Sequence, residues 1–197
     1  MATTQDPKAA RDEERRFRWT SEQYYQMAEL GFFSDRHVEL IRGEIWQMTI
    51  KPPHAISMEF VVRILTTVFG REYRIRIQSP LDLGRRNQPE PDAAVLLGDP
   101  SGTTSHPTSA QLAIEVSDSS LRKDRTIKAH LYARAGIADY WIINLVDRQL
   151  EIHRVPGPDP ARRGRFRYAE VTIVPEAGNM APLAAPGSLI AVADLLP

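Results

Sequence analysis

Gln88-Pro-Glu-Pro-Asp92-Ala-Ala-Val-Leu-Leu97 and Leu112-Ala-Ile-Glu115-Val-Ser-Asp-Ser-Ser120 are the two stretches on which the reading of the fold turns. Each carries a short, nearly continuous apolar run, 93–97 and 112–116, of the kind that suits central strands covered on both faces. Between them, Gly98 to Ser109 is rich in Gly, Pro, Ser and Thr and reads as a surface loop. Each run also carries a carboxylate in an apolar setting. Asp92 stands at the entrance of the first and Glu115 inside the second, where an ionised side chain is costly unless paired or metal-bound.

Working outward, Asp124 is placed to cap a helix whose apolar marks Ile127, Leu131 and Ala135 lead to Gly136. Residues 140–145 and 149–153 follow as strands of a hairpin through Val146-Asp-Arg148. Upstream, Arg74-Ile-Arg-Ile-Gln78 alternates with period two, as a half-buried strand does. Pro52-Pro53 punctuates the chain before a helix from Ala55 to Phe69, with the stripe Ile56, Phe60, Val61, Ile64, Leu65 and Val68 and a stop at Gly70. Residues 38–48 read as a hairpin about Arg42-Gly43. Thr20 and Gln23 form a capping box that opens a helix with apolar positions Tyr24, Met27, Ala28 and Leu30, ended by Gly31. The sum is an α/β (α+β) chain with a central mixed β-sheet flanked by helices. Residues 1–18 form a polar arm, 19–155 the core, and 156–197 a Pro- and Gly-rich extension whose short strands, such as 171–174, pack on the core at the sheet edge.

The composition agrees with one globular domain. Of 197 residues 42% are hydrophobic and 25% charged, which excludes wholesale disorder. With no cysteine there is no disulfide framework, thiolate metal site or cysteine nucleophile. No apolar run approaches the ~20 residues of a membrane span, and the charged N-terminus lacks the apolar segment of a signal peptide, so a cytoplasmic protein without membrane association is expected. Twenty-five basic residues balance 25 acidic ones. That neutrality argues against a nucleic-acid partner only for the chain as a whole, because the basic residues cluster. Arg85-Arg86 is one cluster, Arg122, Lys123, Arg125, Lys128 and Arg134 against Asp124 a second, and Arg162, Arg163, Arg165 and Arg167 a third. Solvated surface charge is the plain alternative.

Glu39, set among Val38, Leu40 and Ile41, joins Asp92 and Glu115 as a candidate, with Glu44 a weaker rival beside the turn. Singly, each is better read as paired with an arginine or turned outward. Together, on strands separated only by a surface loop, Asp92 and Glu115 make a hard-cation site competitive. His54, His106, His130 and His153 have no zinc spacing. Ser117 to Ser120 lack a nucleophile elbow, and no phosphate-binding glycine loop exists. For His54, at the start of the second helix, an ordinary helix role is preferred to one facing the site.

These residues resemble a known family. Pro91-Asp92 followed by Ile114-Glu115-Val116-Ser117 is similar to the strand pair of the PD-(D/E)XK nuclease superfamily. The surrounding blocks resemble its Uma-two branch of restriction-endonuclease-like proteins: 38–44 its first hairpin, 88–92 its metal strand, and 114–120 with Asp124, Lys128 and 132–143 its most recognisable block. The resemblance covers roughly Trp19 to His153 and leaves out the tail after Pro156. One departure stands out, since Ser117 occupies the superfamily's usual lysine position. Family members resembling this chain carry that lysine on the following helix, where Lys128 fits and Lys123 ranks second. Without the resemblance, Lys128 reads as a solvated residue paired with Asp124 four positions back, worth only ~0.2–0.5 kcal/mol.

The resemblance implies a restriction-endonuclease-like fold and metal-assisted phosphodiester hydrolysis, with DNA expected as substrate. Asp92, Glu115 and the Val116 carbonyl would hold Mg2+, with Mn2+ as a substitute, and Glu39 would support it directly or through water. Lys128 would orient or help deprotonate the attacking water. From the basic clusters themselves, Arg85, Arg86, Arg122, Lys123 and Arg125 are the candidates to contact phosphates beside such a site. Cutting a duplex would suit a homodimer. Two alternatives remain open: a non-catalytic nucleic-acid-binding or interaction protein on a nuclease fold, and a small-molecule phosphoesterase using the same carboxylates.

Overall fold

The computed structural model describes residues 16–197, so most of the arm read over 1–18 lies outside the described residues. Thr20 caps helix α1 (Ser21–Glu29) through the capping box: Gln23 N–H donates to Thr20 Oγ1 (3.3 Å) and Thr20 N–H to Gln23 Oε1 (3.0 Å). The apolar stripe read along this helix does not hold. Tyr24 alone is buried, against Val38 and Leu40, and Leu30 is 75% exposed. Strands β1 (Val38–Ile41) and β2 (Glu44–Gln47) form the expected hairpin, with Arg42 and Gly43 both at positive φ (53° and 74°), as a tight two-residue turn requires.

Helix α2 spans Pro52–Val68, so the two prolines form its first turn instead of preceding it. That position suits proline, whose missing N–H would have no helical partner there. The buried face accordingly carries Ser57, Met58, Val61 and Leu65, while Ile56 is 42% exposed. Ser57 turns inward because its hydroxyl donates to the Leu195 carbonyl (2.7 Å), a contact that comes from the far end of the chain.

Strands β3 (Tyr73–Ile77), β4 (Ala93–Leu97), β5 (Leu112–Ser117), β6 (Asp139–Asn144), β7 (Gln149–Pro158) and β8 (Phe166–Pro175) lie in that order in one six-stranded mixed sheet. Only β5 and β6 run parallel, and the chain between them crosses over through a helix, as a parallel pair demands. The strands alternate strictly. Ala93, Val95, Leu112, Ile114, Val116, Trp141 and Ile143 face α2 and the C-terminal segment, whereas Ala94, Leu96, Ala113, Tyr140 and Ile142 face the crossover helix. Glu115 and Ser117 share the second face by the same period of two.

The crossover runs without a break through α3 (Leu121–Lys123), a π-helical turn (Asp124–Lys128) and α4 (Ala129–Arg134). Asp124 is therefore not the cap expected of it. The helix starts at Leu121, and the Asp124 carboxylate is taken by the hydroxyls of Ser117 and Ser120, which donate to its Oδ2 at 2.7 and 2.6 Å. The C-terminal region also departs from the reading. The boundary drawn at 155/156 falls inside β7, and β8 is a ten-residue edge strand paired with β7 from Gln149↔Pro175 to Pro158↔Phe166. Beyond the two-residue strands β9 (Asn179–Met180) and β10 (Ile190–Ala191), Val192, Leu195 and Leu196 sit in the main core.

Candidate active site

Period-two geometry brings Asp92 to Glu115. Ala93 is opposite Ile114, so the next step back places Asp92 beside Glu115 on the helix-facing side of the sheet. The Val116 N–H donates to Asp92 Oδ2 (2.8 Å), and His54 Nε2 stands 3.1 Å from Asp92 Oδ1. His54 thus belongs to the site and is no ordinary helix residue. Against the burial of both groups, their pairing holds the Asp92 carboxyl below its usual range and raises the His54 imidazole.

Glu115 is held from the crossover helix. Lys128 Nζ donates to both of its oxygens (2.9 and 2.8 Å) and the Tyr132 hydroxyl to Oε1 (2.6 Å). Burial, with repulsion from Asp124, Asp92 and Glu39, pushes the Glu115 carboxyl well above its ordinary value even though Lys128 pulls the other way. Burial alone would lower the Lys128 ammonium, but Glu115, Glu39, Asp124 and Asp92 override it and hold it well above the lysine range. Lys128 is only 2% exposed, which removes the solvated reading. The π turn explains its aim. Residues 124, 128 and 132 would drift by about 40° per step of four on an ideal α-helix, and one wider turn keeps all three on the sheet.

Glu39 is fully buried, accepting from Lys123 Nζ (2.8 Å) and the Glu90 N–H (3.1 Å), with Lys128 Nζ 3.3 Å away. The two lysines bring its carboxyl below the ordinary range despite burial. It lies behind them and does not line the cavity. Lys123, read first as a phosphate contact, therefore sits in the site, its ammonium 5.5 Å from the Trp46 ring centre. Arg125 is also engaged, in a two-pronged bond to Glu151 (2.9 and 2.5 Å). Arg85, Arg86 and Arg122 are exposed and do not line the cavity.

The cavity is about 280 Å³. Asp92, Glu115, Val116, Asp124 and Lys128 form its floor, and Trp46, Met48 and Ile50 contribute an apolar wall from the hairpin side. Sequence reasoning missed several lining residues, His37 and Gln78 among them. His37, which pairs with Glu90 (2.5 Å), has no local signal. Gln78 takes a left-handed backbone (φ 41°) at the end of β3, a strain of the kind found at functional sites. Asp124 was read as a cap, as a surface partner of Lys128 and as part of the family's block, but not as a cavity residue.

A hard divalent cation fits these donors. Asp92, Glu115 and Asp124 bring three carboxyl groups to the cavity floor beside Lys128, with Glu39 behind them paired to Lys123. Among the described residues no three histidine or carboxylate groups stand close enough to enclose a metal by themselves. Magnesium binds through one or two carboxylates and completes its shell with water and phosphate, and Asp92 with Glu115 offers that number of carboxyl groups. Asp124 Oδ1 and His54 Nδ1 are both buried without a hydrogen-bond partner, so the site has unmet polar capacity.

The same chain matches a family profile described as "Putative restriction endonuclease", over residues 21–192. The chain belongs to the Uma2 family. The Uma2 match runs well past His153 to include the edge strand β8 and the C-terminal segment, which the motif reading had left out. Among solved structures, the chain is similar to one described as "a putative nuclease belonging to DUF820" from Anabaena variabilis ATCC 29413. The two share 16% identity with a TM-score of 0.67, over 89% of this chain and 96% of that one, so the fold is shared. No curated protein sequence matches the chain.

Proposed function

We propose that this Uma2 protein is a magnesium-dependent endonuclease that hydrolyses phosphodiester bonds in DNA. The observation that carries the reading is the ammonium of Lys128, bonded to Glu115 at 2.8 Å beside the Asp92 carboxylate on the floor of one cavity. That contact makes up for Ser117 at the usual lysine position, and it favours catalysis over a non-catalytic binding role.

Asp92, Glu115 and the Val116 carbonyl are the residues that would hold magnesium, which when bound supplies Lewis acidity and lowers the pKa of water. Lys128, kept charged by its carboxylate neighbours, would orient the attacking water and offset charge developing on the phosphoryl oxygens. Glu39 would act from behind as counter-ion to both lysines, fixing their position. His54 would hold Asp92 in place. Arg85, Arg86 and Arg122 remain the candidates for phosphate contact outside the cavity, and Arg125 is withdrawn from that group because Glu151 holds its guanidinium.

The test is incubation of plasmid and single-stranded DNA with magnesium or manganese, beside Asp92→Ala and Glu115→Ala. Metal-dependent cleavage lost in both variants, with the fold intact by circular dichroism, is the expected outcome. Cleavage retained in either would overturn the assignment. The apolar wall of Trp46, Met48 and Ile50 favours one second reading, a small-molecule phosphoesterase, which would hydrolyse a nucleotide ester and leave plasmid untouched.

A further inference from the structure

Asp124 carries an unusual division of labour between its two oxygens. Oδ2 accepts two hydroxyl hydrogens, from Ser117 (2.7 Å) and Ser120 (2.6 Å), while Oδ1 is buried with no partner. The residue is 1% exposed and lines the floor of the cavity with Asp92 and Glu115. Its cationic neighbours are already committed. Lys128 has three N–H groups and already reaches both oxygens of Glu115, the Glu90 carbonyl and Glu39. Lys123 serves Glu39, and His54 Nε2 faces Asp92. A buried carboxylate oxygen needs a donor, and within the protein this one has none.

The two serines also make Asp124 rigid. They hold Oδ2 from the end of β5 and the start of the helix. The same clamp gives the Ser117 substitution a use, because this position holds the acid on the π turn where a lysine would otherwise stand.

We propose that Asp124 is a positioning residue of the cation site: its Oδ1 accepts a hydrogen bond from a water in the shell of the cation held by Asp92 and Glu115. A water-mediated contact fits two observations together. Asp124 lines the same cavity floor as Asp92 and Glu115, and its Oδ1 has no donor within the protein; magnesium retains several of its waters when bound, which supplies one. The inference rests on the metal-dependent reading above and adds a residue to it.

The test is calorimetric titration of the full chain with magnesium and with manganese, comparing wild type, Asp124→Asn and Asp92→Asn. Asparagine keeps a carbonyl oxygen for the two serines and removes the charge, so melting in EDTA should match wild type. Loss of an outer-shell partner typically weakens metal binding by about 10- to 100-fold, and that is the fall expected for Asp124→Asn. Wild-type affinity in this variant would overturn the proposal while leaving the metal reading intact. A wild-type chain that binds neither cation would overturn both. If Asp124→Asn does not fold, a crystal structure of the wild type with manganese decides: a metal-bound water within hydrogen-bond reach of Oδ1 supports the role, and its absence refutes it.

Discussion

Lys128 shows how far a single buried ion depends on its partners. Its ammonium is enclosed by Glu115, Glu39 and the Glu90 carbonyl, so Lys128→Met leaves buried carboxylates uncompensated. Breaking such a pair costs about 3–5 kcal/mol, and urea denaturation should show a loss of that order. Adding Glu115→Gln should restore part of it, because the stranded charge is removed along with its partner. A double variant no more stable than the single would mean that Lys128 is held by packing. His153, which does not line the cavity, offers a second test. It is buried between Tyr140 and Tyr168, with Glu151 and Arg125 as its charged neighbours, and burial lowers its pKa from 6.5 to about 4. The folded state therefore resists a proton that the unfolded chain accepts below pH 6.5. Stability should fall by about 3 kcal/mol as pH drops from 6.5 to 4, with no further contribution below. An NMR titration of the imidazole checks it, and a midpoint near 6.5 would refute the burial argument. At this level Asp92, Glu115 and Lys128 were legible because carboxylates in apolar strands stand out and the family motifs supply the lysine. His37 and Gln78 were not, since nothing local distinguishes a histidine before a strand or a glutamine after one.

The crossover element carries more of the site than its sequence suggests. Apolar spacing located the helix correctly, yet spacing assumes one period, and the π turn breaks that period between Asp124 and Lys128. Ala129 N–H reaches back five residues to the Asp124 carbonyl, and the Tyr140 hydroxyl donates to the same oxygen (3.2 Å). Deleting Thr126, an exposed residue of the turn, would set Asp124 and Lys128 three apart instead of four and rotate one against the other by roughly 100°. The expected outcome is loss of cleavage with helical circular dichroism retained. Full activity in the deletion would show that the turn is incidental. The two prolines of α2 teach a related point: a dipeptide that punctuates a loop is equally suited to a helix's first turn, and here it forms that turn.

For the whole molecule, the C-terminal region is the main revision. Tyr168, Val174, Ile190, Val192, Leu195 and Leu196 are all buried, and each such side chain contributes roughly 1.5–3 kcal/mol, so together they rival the ~5–15 kcal/mol stability of a domain. A chain ending at residue 155 should therefore fail to fold, seen as lost amide dispersion in NMR spectra. A cooperative melt from that fragment would show that 156–197 is dispensable. Net charge, balanced at 25 against 25, also resolves into parts once the chain is folded: acidic groups gather at the cavity floor while Arg85, Arg86 and Arg122 lie outside it. By itself the amino-acid sequence determined where strands β1 to β7 lie, their alternation, the absence of cysteine chemistry and the identity of the central carboxylates, because these follow from local period and side-chain type. Only the tertiary structure decided that Glu39 backs two lysines, that Arg125 is spent on Glu151, that His54 faces Asp92 and that the tail completes the core. Each of those depends on which residues far apart in the chain meet, and a buried charge or an apolar face takes its role from the partner it finds there.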